Sequence, residues 1–112
     1  MLHLVFIKPS GSQLKLLDSI FHLKDSVKDE GGRPLIADAK IIENQSDEGF
    51  GQGCQRGVMM LFKSKEDLAA YHAHPEHEAV KALVFGSINP AQDLTVIDLQ
   101  ASVVDACFRT SP

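Results

Sequence analysis

The segment RGVMMLFKSKEDLAAYHAHPEHE, residues 56–78, decides how the rest of this 112-residue chain is read. Arg56 to Lys63 reads as a strand, with Val58, Met60 and Phe62 on one face and Met59 and Leu61 on the other. Ser64 follows in the position of a helix N-cap, with Asp67 three residues on and Glu66 adding negative charge to the first turn. The helix runs through Leu68, Ala69 and Tyr71 and breaks before Pro75, because a proline disfavours the α conformation in the residue that precedes it, His74. Pro75 suits the first position of a second helix, with Glu76 and Glu78 in its first turn.

Outward from this segment, the C-terminal side continues the helix along Ala79, Val80, Leu83 and Val84 to about Phe85, and Gly86-Ser87 closes it. After Asn89-Pro90, residues 93–100 alternate as a last strand, with Leu94, Val96 and Asp98 opposite Thr95, Ile97 and Leu99. On the N-terminal side, residues 2–8 form a first strand, with Leu2, Leu4 and Phe6 on one face and His3, Val5 and Ile7 on the other. Residues 13–29 read as an amphipathic helix ended by Gly31-Gly32. Residues 34–43 read as a second strand at a sheet edge, since Pro34 and the polar Asp38 and Lys40 fit an edge best. Residues 44–53, with three glycines and two adjacent acids, form a loop in which Phe50 is the one large apolar side chain, a candidate lid or dimer contact.

The order β-α-β-β-α-β is the split βαβ pattern of an α+β, ferredoxin-like protomer: a four-stranded antiparallel sheet with its helices on one face. The other face would be bare. Val5 and Ile7, with either Val58, Met60 and Phe62 or Met59 and Leu61, are expected to make that face apolar. A monomer would then expose roughly several hundred Å² of apolar sheet, which argues for a symmetric homodimer closed through the sheet faces. Residues 1–100 make the domain, and residues 101–112 a tail that is expected to add an exchanged strand.

The totals exclude several classes. A net charge of −4 without a basic run argues against a nucleic-acid partner. No apolar run approaches the length of a membrane span. Met1 to Lys8 is too short for a leader core and reads as a strand. Cys54 and Cys107 stand far apart with no CxxC, so free thiols and a cytoplasmic location are the expectation. There is no dinucleotide fingerprint and no nucleophile elbow, and no cofactor is expected.

Chemistry concentrates in residues 71–78, which hold three of the five histidines and the only tyrosine. Crowded imidazole and phenol groups suit proton transfer, an anchored small-molecule ligand or a metal. The spacing of His72, His74 and His77, with Glu78, permits a metal, but the helix break between them opposes convergence, and no metal is expected.

Taken together, His3 on the first strand, the run Phe62 to Tyr71, the following His74-Pro75-Glu76-His77, and Leu94 to Asp98 resemble the stress-responsive dimeric α/β-barrel family over residues 2–100. That resemblance implies two ferredoxin-like protomers whose sheets close a barrel, with a cavity between sheet and helices in some members. Members include a plant polyketide cyclase, plant hydroxynitrile lyases and stable stress-induced proteins of no established chemistry. In the cyclase type, the positions of His3, Tyr71 and His77 line the reaction pocket, with the histidine as proposed general base oriented by the tyrosine. This chain departs from the family at Gly51 to Arg56, where a Tyr-Thr-His-like run is common, so its pocket wall differs there.

Two readings of the site follow. In one, His77 abstracts a proton α to a carbonyl of a polyketide-like substrate, Tyr71 orients it or donates to the enolate oxygen, and His3 is a second anchor. Val5, Ile7 and Phe50 are then candidates for the pocket wall. In the other, His77 and Tyr71 brace the helix break of a non-catalytic stress protein. His74 reads as a substrate-binding or structural residue, in the structural case capping the new helix or bonding to backbone.

Overall fold

A computed structural model describes residues 1–9 and 13–100, so the tail at 101–112 and its expected strand lie outside the described residues. The elements run β1 (Leu2–Ile7), α1 (Gln13–Phe21), α2 (Leu23–Ser26), β2 (Asp38–Glu43), β3 (Arg56–Leu61), α3 (Lys65–Ala73), α4 (Pro75–Ser87), α5 (Pro90–Asp93) and β4 (Leu94–Leu99). The sheet order is β2-β3-β1-β4 with every neighbouring pair antiparallel. This is the α+β, ferredoxin-like arrangement of two interleaved βαβ units. Asp38 and Lys40 do lie on an edge strand.

Strand register decides which residues meet the helices. His3, Val5 and Ile7 pair with Met60, Val58 and Arg56 on one side and with Asp98, Val96 and Leu94 on the other. This face points to the helices: Val5, Ile7, Val58 and Met60 are buried in the core with Leu16, Leu17 and Ile20 of α1. The expectation that Val5 and Ile7 lie on the bare face is therefore corrected. With period-two alternation, an assignment off by one residue reverses a strand completely. The open face instead carries Leu2, Leu4 and Phe6, with Met59 and Leu61 beside them and Ile97 and Leu99 beyond. Asp38 and Lys40 border this apolar surface on the β2 side.

Local chemistry sets the element ends. The Gln13 side chain donates from Nε2 to the Ile7 carbonyl at 2.7 Å, which ties the start of α1 to the end of β1. The first helical region is shorter than its periodicity predicts. It turns at His22 and ends at Ser26, because Val27 is extended and buried and starts a return through the Lys28–Pro34 bridge. Gly32, at φ +84°, belongs to the turn within that return and not to a helix cap. The second strand begins at Asp38, four residues beyond Pro34.

Arg33 locks the turn against α3. Its guanidinium donates to both Asp67 oxygens, at 3.0 and 2.8 Å, and its Nε donates to Asp29 at 3.1 Å. Ser64 caps α3 by accepting from the Asp67 amide at 3.1 Å. Pro75 opens α4 at its first turn, as its fixed φ and missing N–H favour. The Asn89 side chain accepts from the Ala91 amide to cap α5, a short helix that the sequence reading leaves as loop.

Candidate active site

The helix break brings the ring side chains together. An α-helix leaves its last carbonyls without internal partners. The His77 ring, one turn into α4, meets one of them, that of His72, at 3.0 Å. A carbonyl only accepts, so His77 Nδ1 carries the proton and Nε2 holds the lone pair. The same break engages the His74 ring at both nitrogens. Its Nδ1 accepts from the Glu76 amide at 3.1 Å and its Nε2 donates to the Lys28 carbonyl at 3.1 Å.

Tyr71 is buried at the centre of this group. Its ring lies 4.6 Å from that of His77, 5.6 Å from His3 and 5.1 Å from Phe62, centroid to centroid. His3 comes from β1 and is also buried. Its Nδ1 donates to Asp98 Oδ1 at 2.6 Å, across the β1–β4 pairing. His72 faces His3 at 5.4 Å and His77 at 5.5 Å.

The rings of His3, Tyr71, His72 and His77 line a cavity of about 270 Å³ between the sheet and the helices. Its walls are otherwise mostly apolar, with Val5, Ile20, Leu23, Val80, Val84 and Phe85 among them. The volume is just under the roughly 300–1,000 Å³ usual for small-molecule sites, and the mix of apolar walls with a few converging polar groups is typical of them. Lys81 brings a cation to the rim.

The electrostatics suit a neutral donor and a neutral acceptor. Burial, and then the charge of Asp98, push the Tyr71 phenol well above its ordinary pKa. Among the described residues its hydroxyl has no hydrogen-bond partner. Burial holds His77 below the usual histidine value, against the opposing effect of its bond to the His72 carbonyl. Burial and then the neighbouring His3 also depress His72.

Of the residues singled out from sequence, His3, Tyr71, His77 and Val5 meet at this cavity. Ile7 does not line it, being fully enclosed in the core. Phe50 stands 78% exposed on the loop before β3, away from the cavity. The grouping of His72, His74 and His77 does not form, because His74 turns to the Lys28 carbonyl. His3, His72 and Asp98 come together instead, each with a donor atom within 4.8 Å of the others. Asp98 was missed as a site residue. Its alternation on β4 was legible, but its partner lies 95 residues away and only strand register joins them.

Solved structures share the fold. A dimeric ferredoxin-like protein of unknown function from Jannaschia sp. CCS1 is 24% identical, with 89% of this chain and 97% of that one covered and a TM-score of 0.69. A protein of Arabidopsis thaliana is 22% identical, with 88% and 92% covered and a TM-score of 0.70. A dimeric protein of unknown function with a ferredoxin-like fold from Bacteroides fragilis is 18% identical, with 88% and 93% covered and a TM-score of 0.53. None of the curated proteins compared with the chain matches it. No helix among the described residues is long and apolar enough to cross a membrane. Residues 3–101 match the Stress responsive A/B Barrel Domain, so with its four-stranded sheet and one-sided helices the chain belongs to that family.

Proposed function

We propose that the cavity binds a small carbonyl compound of polyketide-like character and that the protein is a cofactor-independent lyase or cyclase. The observation that carries this reading is the convergence of His3, Tyr71 and His77 on one largely apolar cavity, with the Tyr71 side chain buried against it. His77 Nε2 takes a proton from the carbon α to the carbonyl. The Tyr71 hydroxyl donates to the oxygen on which negative charge develops. His3, held by Asp98, anchors a second oxygen. The depressed basicity of His77 keeps it neutral and able to accept a proton.

The same reading includes a homodimer closed through the open sheet faces. Leu4, Phe6, Met59 and Leu61 form a surface that a second copy would cover, and several structural relatives are described as dimeric. A cytoplasmic location is part of it and is in keeping with the free Cys54 thiol.

The test is hydrogen exchange at the α-carbon of a small 1,3-diketone in D2O, followed by NMR. The expected result is faster exchange with the protein, lost in His77→Ala and reduced in Tyr71→Phe, with the far-UV circular dichroism of both variants unchanged. Binding of the diketone without any faster exchange would favour the second reading, a non-catalytic binding protein of the stress-response family. That reading draws on the same cavity and on the bracing of the helix break by His77. Absence of both binding and exchange would overturn the enzyme reading.

A further inference from the structure

We propose that His3, His72 and Asp98 form a binding site for one divalent first-row transition-metal ion at the wall of the cavity. This goes beyond the acid–base reading and does not depend on it.

The donor set has the right chemistry. Two imidazoles and one carboxylate suit zinc and its neighbours, whereas magnesium and calcium prefer oxygen donors alone. The distances are close to those required. Metal–donor bonds of about 2.0–2.2 Å in a tetrahedron place donors roughly 3.3 Å apart. One donor atom from each residue already lies within 4.8 Å of the other two. Small rotations about the side-chain bonds close the remaining gap. The donors also sit on regular elements rather than loops. His3 and Asp98 are directly paired on β1 and β4, and His72 is in the last turn of α3.

The electrostatics of the wall are mixed. Asp98 supplies the negative charge of the set, and Glu78 lies beside His77. Lys81 on α4 opposes a cation, but the flexible lysine stem lets its head move toward solvent. Binding replaces the proton that His3 Nδ1 shares with Asp98 or leaves that bond as support for the opposite ring nitrogen. In either case the three protein donors leave coordination positions open toward the cavity, beside Tyr71 and His77. His77 is not a member of the set, since only His3, His72 and Asp98 bring donor atoms within 4.8 Å of one another.

The experiment is calorimetric titration of the chelator-stripped full chain with zinc chloride, together with the visible absorption spectrum of the cobalt(II) form. One ion per chain is expected, with cobalt bands that respond to substitution within the trio. His72→Gln and Asp98→Asn should each weaken zinc binding about tenfold or more. His74→Gln and His77→Ala should retain the wild-type affinity. His72 is partly exposed, so its variant reports on binding without the folding risk attached to the buried His3. Absence of stoichiometric binding by the folded chain would overturn the proposal. So would full affinity in both His72→Gln and Asp98→Asn, which would place the ion on other surface histidines. Because the readout is the metal and not proton transfer, failure here leaves the diketone test untouched, and failure there leaves this one standing.

Discussion

His3 and Asp98 are 95 residues apart in the chain and directly opposite each other on β1 and β4, with Nδ1 and Oδ1 2.6 Å apart. The imidazole is buried and the carboxylate is only partly exposed, so the pair is a bond between a protected donor and a half-wet acceptor. It orients the His3 ring toward the cavity and brings a carboxylate within reach of Tyr71 and His72.

Removing the carboxylate should therefore cost more than a surface contact would. Asp98→Ala leaves the His3 N–H buried without its acceptor, which typically costs about 1–3 kcal/mol. Asp98→Asn keeps an acceptor oxygen and should lose less. Urea unfolding of both variants checks the order. Equal and negligible losses would mean that water replaces Asp98 freely.

Gly57 allows two strands to pack at close quarters. A Cβ at this position would collide with the Val5 carbonyl oxygen and stand 2.7 Å from the ring of Phe6, its cross-strand partner. The backbone oxygen cannot swing aside as a flexible side chain could. Gly57→Ala is expected to destabilise the fold by about 1–3 kcal/mol, as overpacking does. A denaturation midpoint equal to wild type would show that the β1–β3 pair relaxes at no cost.

Acid should weaken the lock between Arg33 and Asp67. Hydrogen bonds from the Arg33 guanidinium hold the Asp67 carboxyl below the ordinary carboxylate value. A carboxyl depressed in the folded state stabilises the fold above its unfolded pKa, and that contribution is lost as pH falls through the folded value. Arg33 is half exposed, which moderates the effect through solvent screening. Arg33→Gln should lower Tm at pH 7, and the gap from wild type should shrink as the pH is taken below the carboxylate range. A gap that stays constant with pH would assign the effect to packing and not to charge.

The open sheet face offers a test of assembly. Leu4→Glu places a charge beside Met59, at the middle of the apolar surface. If two copies close through this face, sedimentation should show a dimer for the wild type and a monomer or a less stable dimer for the variant. A wild-type monomer would overturn the face-to-face arrangement.

Much of this protein was legible because its signals are local. Ser64, His74 and Pro75 act within three residues of themselves, so the capped helix, the break and the restart follow from sequence in the positions observed. Strand alternation and the order of elements are also local, and with them the split βαβ topology. Tyr71 and His77 could be paired for the same reason, since one helix break separates them.

Tertiary structure decided what depends on distant partners. Alternation divides β1 into two faces, but both are apolar, and only the position of α1 over Val5 and Ile7 shows which is inward. The early end of α1 and α2 follows from the need of Val27 to enter the core, which outweighs the helical periodicity beyond it. Phe50 reads as a plausible wall residue by its type, yet the loop carries it into solvent. Asp98 looks like an ordinary polar position on a last strand until register sets it against His3. The sequence alone determined the elements and one half of the site, because those rest on contacts within a few residues. The other half needed the fold, because hydrogen bonding between strands is what converts a separation of 95 residues into 2.6 Å.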